Sequence, residues 1–135
     1  MNEEDLKKRT KQFALRVIKM SEALPNTVVG RVIERQIVRS GTAVGANYRS
    51  ACRGRSKAEF ASKLAHVEEE ADETAYWLEL IGEAGLLNAD LLAELLKEAN
   101  ELTAIMAASR ITAKRKQIKE GKNQKSQIQN LKSKI

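Results

Sequence analysis

Apolar residues recur along this chain with the four–three spacing of a helix face, and no segment shows the alternation of a strand. Leu6, Phe13, Val17, Met20 and Leu24 keep that rhythm, with Thr10 filling the one gap. Pro25 ends the run, because the residue before a proline is pushed out of the helical region. Asn26 is then a candidate cap for a second helix, and Gly54 a candidate left-handed terminator. Ser56 followed by Glu59 forms a capping box, in which each side chain satisfies a free N–H of the first turn. Phe60, Leu64, Val67, Ala71, Thr74, Leu78 and Ile81 step four and three without a miss, and Gly85 closes that helix. Asn88 and Asp90 open a fourth, with a seam of Leu92, Leu95, Ala99, Leu102, Met106 and Ser109, widened by Leu91, Leu96 and Ile105.

The pattern predicts helices over about 3–24, 26–54, 57–84 and 89–118, forming one domain over 1–120. Amphipathic helices of this length, joined by turns of a few residues, predict an all-α fold: an up-down-up-down antiparallel four-helix bundle. Gly41 and Gly45, with Ala43 and Ala46, thin the middle of the second helix at about 1 kcal/mol per glycine relative to alanine. That cost predicts a tight helix crossing, within the subunit or between subunits. Past Lys114 the seam fades. Ile118, Ile128, Leu131 and Ile135 are too sparse for a core, so 121–135 reads as a basic C-terminal tail, either a flexible arm or a helical extension ordered by a partner.

The polar side of the second helix is unusual. At about 100° per residue, Arg31, Arg35, Arg39, Arg49 and Arg53 fall within an arc of roughly 80°. Val29, Ile33, Ile37, Val44, Tyr48 and Ala51 occupy the opposite side. One face is built to leave water and the other to meet anions. Three uses compete for the arginines. They pair with the third helix of the same or a neighbouring subunit, which holds eight acids and one base between Glu59 and Glu83, or bind a polyanion, or are simply solvated. Guanidinium forks suit carboxylate and phosphate alike and lean away from solvent.

Charge sharpens this picture. The formal net charge is +6, but Arg110–Ile135 alone carries +8 and the rest of the chain −2. Lys114, Arg115, Lys116, Lys119, Lys122 and Lys125, set among Gln, Asn and Ser without aromatics, fit contact with a phosphate backbone better than base stacking. One cysteine forms no internal disulfide, and no apolar run nears the roughly 20 residues that cross a bilayer. A cytoplasmic protein without membrane contact is the expectation. Glu68, Glu69, Glu70, Asp72 and Glu73 lack the Glu-x-x-His steps of a di-iron bundle, since Lys63 stands three before the only histidine, His66. Cys52 reads as a small buried filler and Trp77 as a bundle-edge residue or subunit-interface anchor. No phosphate loop or nucleophile–base set occurs, so the chain is expected to be non-enzymatic and to need no cofactor or metal.

Gln36, Arg39-Ser40-Gly-Thr-Ala-Val44, Ala46-Asn47-Tyr48, the Gly-Arg-Ser turn at 54–56, Glu59-Phe60 and the Glu-rich run before Tyr76-Trp77-Leu78 carry a resemblance. Over roughly 10–110 the chain resembles the bacterial four-helix bundle family first found encoded in intervening sequences of large-subunit ribosomal RNA genes. The resemblance implies a homopentamer with no established enzymatic activity. It also implies a likeness to the accessory variability protein of diversity-generating retroelements, a positively charged pentamer that works with a reverse transcriptase and nucleic acid. The reading that results is a homo-oligomeric bundle binding nucleic acid, structured RNA foremost, through phosphate contacts by the five arginines, with the tail lysines as an auxiliary arm. The competing reading is an assembly scaffold with no nucleic-acid role, whose tail docks an acidic or nucleic-acid-processing protein.

Overall fold

The computed structural model describes residues 1–134, as four helices with no strand among them. They are α1 (Glu3–Ser21), α2 (Val28–Cys52), α3 (Lys57–Glu83) and α4 (Ala89–Ser133). Each helix packs on its neighbours in chain order, α4 returns to α1, and the diagonal pairs do not meet. The N-terminus, the α2–α3 turn and residues 108–116 of α4 share one end, here called the lower end. The α1–α2 and α3–α4 turns therefore form the upper end.

The seams read from the sequence are the core. Phe13, Val17, Ile37, Val44, Leu64, Val67, Leu78, Ile81, Leu102 and Met106 are fully buried. The gap residue Thr10 is buried too, and donates its hydroxyl to the Leu6 carbonyl at 2.8 Å. Burial in this mutual core, rather than propensity, is what stabilises helices of this kind.

Leu91, expected to widen the α4 seam, is exposed in the first turn of that helix, and four further local expectations change. Thr27, not Asn26, caps α2, its side chain accepting from Gly30 N–H. Val29 is not on the core side: it is exposed, and Gly30 takes the inward position because a Cβ there would lie 2.0 Å from the Pro25 carbonyl oxygen. Gly54 does not adopt a positive φ; it is needed because a Cβ would meet Ala51 O at 3.0 Å and Phe60 N at 3.2 Å. Gly85 is the left-handed terminator, at φ +71°, with Leu86 N–H reaching back to Ile81 O and Gly85 N–H to Gly82 O. The fourth change is the largest. α4 does not stop near 118 but continues unbroken to Ser133.

The tight crossing predicted by Gly41 and Gly45 lies within the subunit, between α1 and α2. A Cβ at Gly41 would meet both γ-methyls of Val17 at 2.8 and 2.9 Å, and one at Gly45 would meet the Thr10 hydroxyl at 3.3 Å. Across the bundle, Arg9 of α1 clasps α4, donating from Nε to Glu98 at 2.8 Å and from Nη2 to Glu101 at 2.7 Å. The guanidinium holds the Glu98 carboxyl below the ordinary range despite partial burial.

Candidate nucleic-acid interface

The arginines of α2 do not form one continuous strip. Ser40 lies opposite Thr74, their hydroxyls 2.9 Å apart in the buried α2–α3 contact. That register brings Arg39 beside the acids of α3, where it pairs with Glu70 and Glu73. Arg31, Arg35, Arg49 and Arg53 are exposed and make no ion pair among the described residues. What remains is two dyads, Arg31/Arg35 near the upper end and Arg49/Arg53 near the lower, their centres about 27 Å apart along the helix at 1.5 Å per residue.

The two dyads sit in different company. Around the upper one, Val28, Val29 and Val32 are exposed. One turn up from the Arg39–Glu73 pair, the antiparallel register carries α2 past Trp77 and Leu80, both half-buried, with Tyr76 exposed beside Trp77 in an edge-to-face contact. The Trp77 indole N–H is buried without a partner. The lower dyad has charged neighbours instead, cations and the carboxylates of Glu3 and Glu4 in the first turn of α1. Arg55 and Lys57 lie in and just after the α2–α3 turn, and Lys7 and Lys11 of α1 line a cleft with Arg49. Sequence reasoning missed those two lysines. Their signal was their placement at i and i+4 on the edge of α1 that flanks Thr10, the residue Gly45 admits.

The C-terminal lysines share this lower end. α4 leaves the bundle beside the start of α3, where Glu120 pairs with Lys57. From there a helix of about 20 Å projects past the bundle. The core seam of α4 extends along it through Gln117, Gln124, Ile128 and Leu131, and the last two are exposed. Arg115, Lys119, Lys122 and Lys125 occupy the arc turned away from that seam, with Lys114, which lines the α3/α4 groove, and Lys116 on its two flanks.

Other candidates behave as ordinary structure. His66 is exposed and 3.8 Å from Glu69, and among the described residues no group of His, Cys, Asp or Glu is arranged to hold a metal. Cys52 is half-buried, and burial pushes its thiol up, away from the thiolate that nucleophilic chemistry needs. A larger α3/α4 groove of about 730 Å³ mixes Glu68, Glu69 and Asp72 with Arg110 and Lys114, and Arg110 is spent on Glu68 at 2.8 Å. No described helix is long and apolar enough to cross a membrane.

Comparison with known proteins places this arrangement. The family described as 23S rRNA-intervening sequence protein matches residues 2–108. The chain belongs to that family. A crystal structure from Bacteroides thetaiotaomicron, described as a protein of unknown function from the S23 ribosomal protein family, is 31% identical and superposes with a TM-score of 0.75. It covers 82% of this chain and 98% of its own. No curated protein matches. The family match spans the bundle and ends before the basic run of α4, so the projecting helix is a feature of this chain outside the matched region.

Proposed function

We propose that this protein binds nucleic acid, structured RNA foremost, through its phosphates, without catalysing a reaction on it. The observation that carries the reading is the meeting of unpaired cations at the lower end. Arg49 at the end of α2, Arg53 capping it and the α2–α3 turn are far in sequence from the projecting lysines of α4, and the antiparallel fold brings them to one end. Arg31 and Arg35 extend the contact up the same helix. Arg39 takes no part, because α3 already neutralises it. Contacts of this type fix position and affinity but read no base, so selectivity in this reading comes from the shape of the RNA and of the assembled protein. The working form is a cytoplasmic homo-oligomer, a pentamer as the family resemblance implies. Several copies of a weak contact then add through effective concentration.

The test is binding to a short fluorescein-labelled RNA duplex by anisotropy, across a salt series. Each neutralised phosphate contributes about −0.9 to the slope of log affinity against log salt on a duplex. The reading expects a steep slope that shrinks in R49Q/R53Q. Absence of binding at low salt refutes it.

A second reading is favoured by a separate observation, the exposed valines beside Trp77 at the upper end. Aromatic anchors ringed by apolar residues are the usual centres of protein interfaces. This surface supports an assembly role, and sedimentation of V29S/V32S tests it: the oligomer should dissociate, and an unchanged oligomer refutes that role.

A further inference from the structure

The α1–α2 groove holds a feature that neither the arginine strip nor the family explains. Near the lower end it opens into a cleft of about 180 Å³ floored by Gly45 and walled by Ala14 and Ala46, with Lys7, Lys11 and Arg49 around it. We propose that this cleft seats one backbone phosphate of the bound nucleic acid, held jointly by Lys7, Lys11 and Arg49. The inference rests on the nucleic-acid reading above and assigns the place where a phosphate enters the protein surface.

Three observations carry it. The first is charge: the ionisable groups lining the cleft are all cations, whereas the larger α3/α4 groove alternates acids and bases. The second is availability. Lys11 and Arg49 make no ion pair among the described residues, and Lys7 pairs only with the exposed Glu4 at 3.2 Å. A surface pair of that kind contributes less than about 1 kcal/mol, so an incoming phosphate displaces it at small cost. The third is shape. Besides the three cations, only glycine, two alanines and Thr42 line the cleft, so its floor and walls are built from small side chains.

Chemistry selects the ligand. At about 180 Å³ the cleft has room for a phosphate group, and a lining of three cations with no aromatic to stack on and no acid suits phosphate better than a base. Thr42 also lines it, but its hydroxyl donates to the Val38 carbonyl at 2.6 Å and is not free to donate to the ligand. The cations therefore do the holding. Arg49 supplies a planar fork for two phosphate oxygens, and the two lysines, one turn apart on α1, supply point charges from the facing wall.

A shared phosphate has a signature that scattered surface charges lack. If three cations hold one phosphate, removing any of them damages the same contact, and the losses do not add. The experiment measures affinity of the full chain for the duplex RNA over a salt series, for K11Q, R49Q and K7Q/K11Q/R49Q. The triple variant should bind on the order of tenfold more weakly. Its salt slope should fall by about 0.9 in total, the value of one phosphate. K11R should keep most of the affinity, whereas R49K keeps the charge but loses the fork and should fall between wild type and R49Q. All of these residues lie at the surface, and unchanged melting followed by circular dichroism confirms that the bundle is intact.

Three results overturn the proposal. A triple-variant slope that falls by about three times the single-phosphate value means three separate contacts. Cleft variants that bind like the wild type, while R53Q and the α4 lysine variants bind more weakly, remove the cleft and leave the nucleic-acid reading standing. A wild-type protein that does not bind at low salt removes both.

Discussion

The α1–α2 crossing makes a sharp prediction about Gly41. Replacing it with alanine puts a methyl within 2.8–3.1 Å of three carbons of Val17. Val17 is fully buried and β-branched, so neither γ-methyl has another rotamer to move into. Overpacking of this kind costs about 1–3 kcal/mol. Against it stands the gain in helix propensity, about 0.8–1 kcal/mol for alanine over glycine. The balance leaves G41A less stable by about 1–2 kcal/mol. Gly45 is the internal control: its Cβ would sit 3.3 Å from the Thr10 hydroxyl, close enough to need only a few tenths of an ångström of adjustment. There strain and propensity nearly cancel, and G45A should be within about 0.5 kcal/mol of wild type. The assay is urea unfolding at fixed protomer concentration, because self-association shifts apparent stability. V17A in the G41A background makes room for the new methyl, so the double mutant should be more stable than the sum of the two changes implies, by about 1 kcal/mol. G41A at or above wild-type stability, or strict additivity with V17A, would refute the reasoning.

Other consequences follow from the ion pairs and the projecting helix. R9A should destabilise the bundle by about 1–2 kcal/mol, since it leaves Glu98 partly buried without its partner; urea unfolding of R9A measures it. Because Glu98 is depressed in the folded state, its contribution is present above the unfolded carboxylate pKa and is lost as pH falls through the lower folded value. Wild type should therefore lose stability in acid more steeply than R9A/E98Q, and parallel pH profiles would contradict the assignment. R39Q should leave RNA affinity nearly unchanged while R49Q lowers it, because Arg39 is already neutralised by α3; equal losses in anisotropy titrations would show the strip acting as one. Truncation after Lys116 should reduce the RNA salt slope yet leave the melting temperature almost unchanged, as the removed segment is exposed; a collapse in melting temperature would mean that segment supports the core.

Much of this fold is legible in the sequence because one physical pattern sets it. Every four–three position from Leu64 to Ile81 and from Leu92 to Met106 is buried, since burying such a face is the only way these helices gain stability. Val29 departs for a local reason: at the first turn of α2 the backbone packs so closely on Pro25 that only glycine fits inward, and the valine is turned outward. The end of α4 departs for another. Its last turns are kept helical by Lys and Gln propensity and by propagation from a formed helix, neither of which leaves an apolar signature. The site was harder to read. That Arg39 is spent and Arg49 is free depends on the register between α2 and α3, and that Lys7 and Lys11 join Arg49 depends on which helix Gly45 faces. Both are properties of packing between segments, invisible along any one of them.

The projecting end of α4 also sets how order decays with distance from the bundle. A helix without tertiary contacts is marginal in water, and this one persists because its first turns are already nucleated by the packed segment. Gly121, with nothing within 4 Å of where a Cβ would stand, is the weakest link of that ladder, costing about 1 kcal/mol relative to alanine. On warming, fraying should therefore begin at the free tip and run back toward Gly121 before the bundle melts. Lys114 and Arg115 would keep their spacing while Lys125 and Lys132 come and go, which gives the molecule a fixed set of near contacts and a fluctuating set of far ones on a single rod.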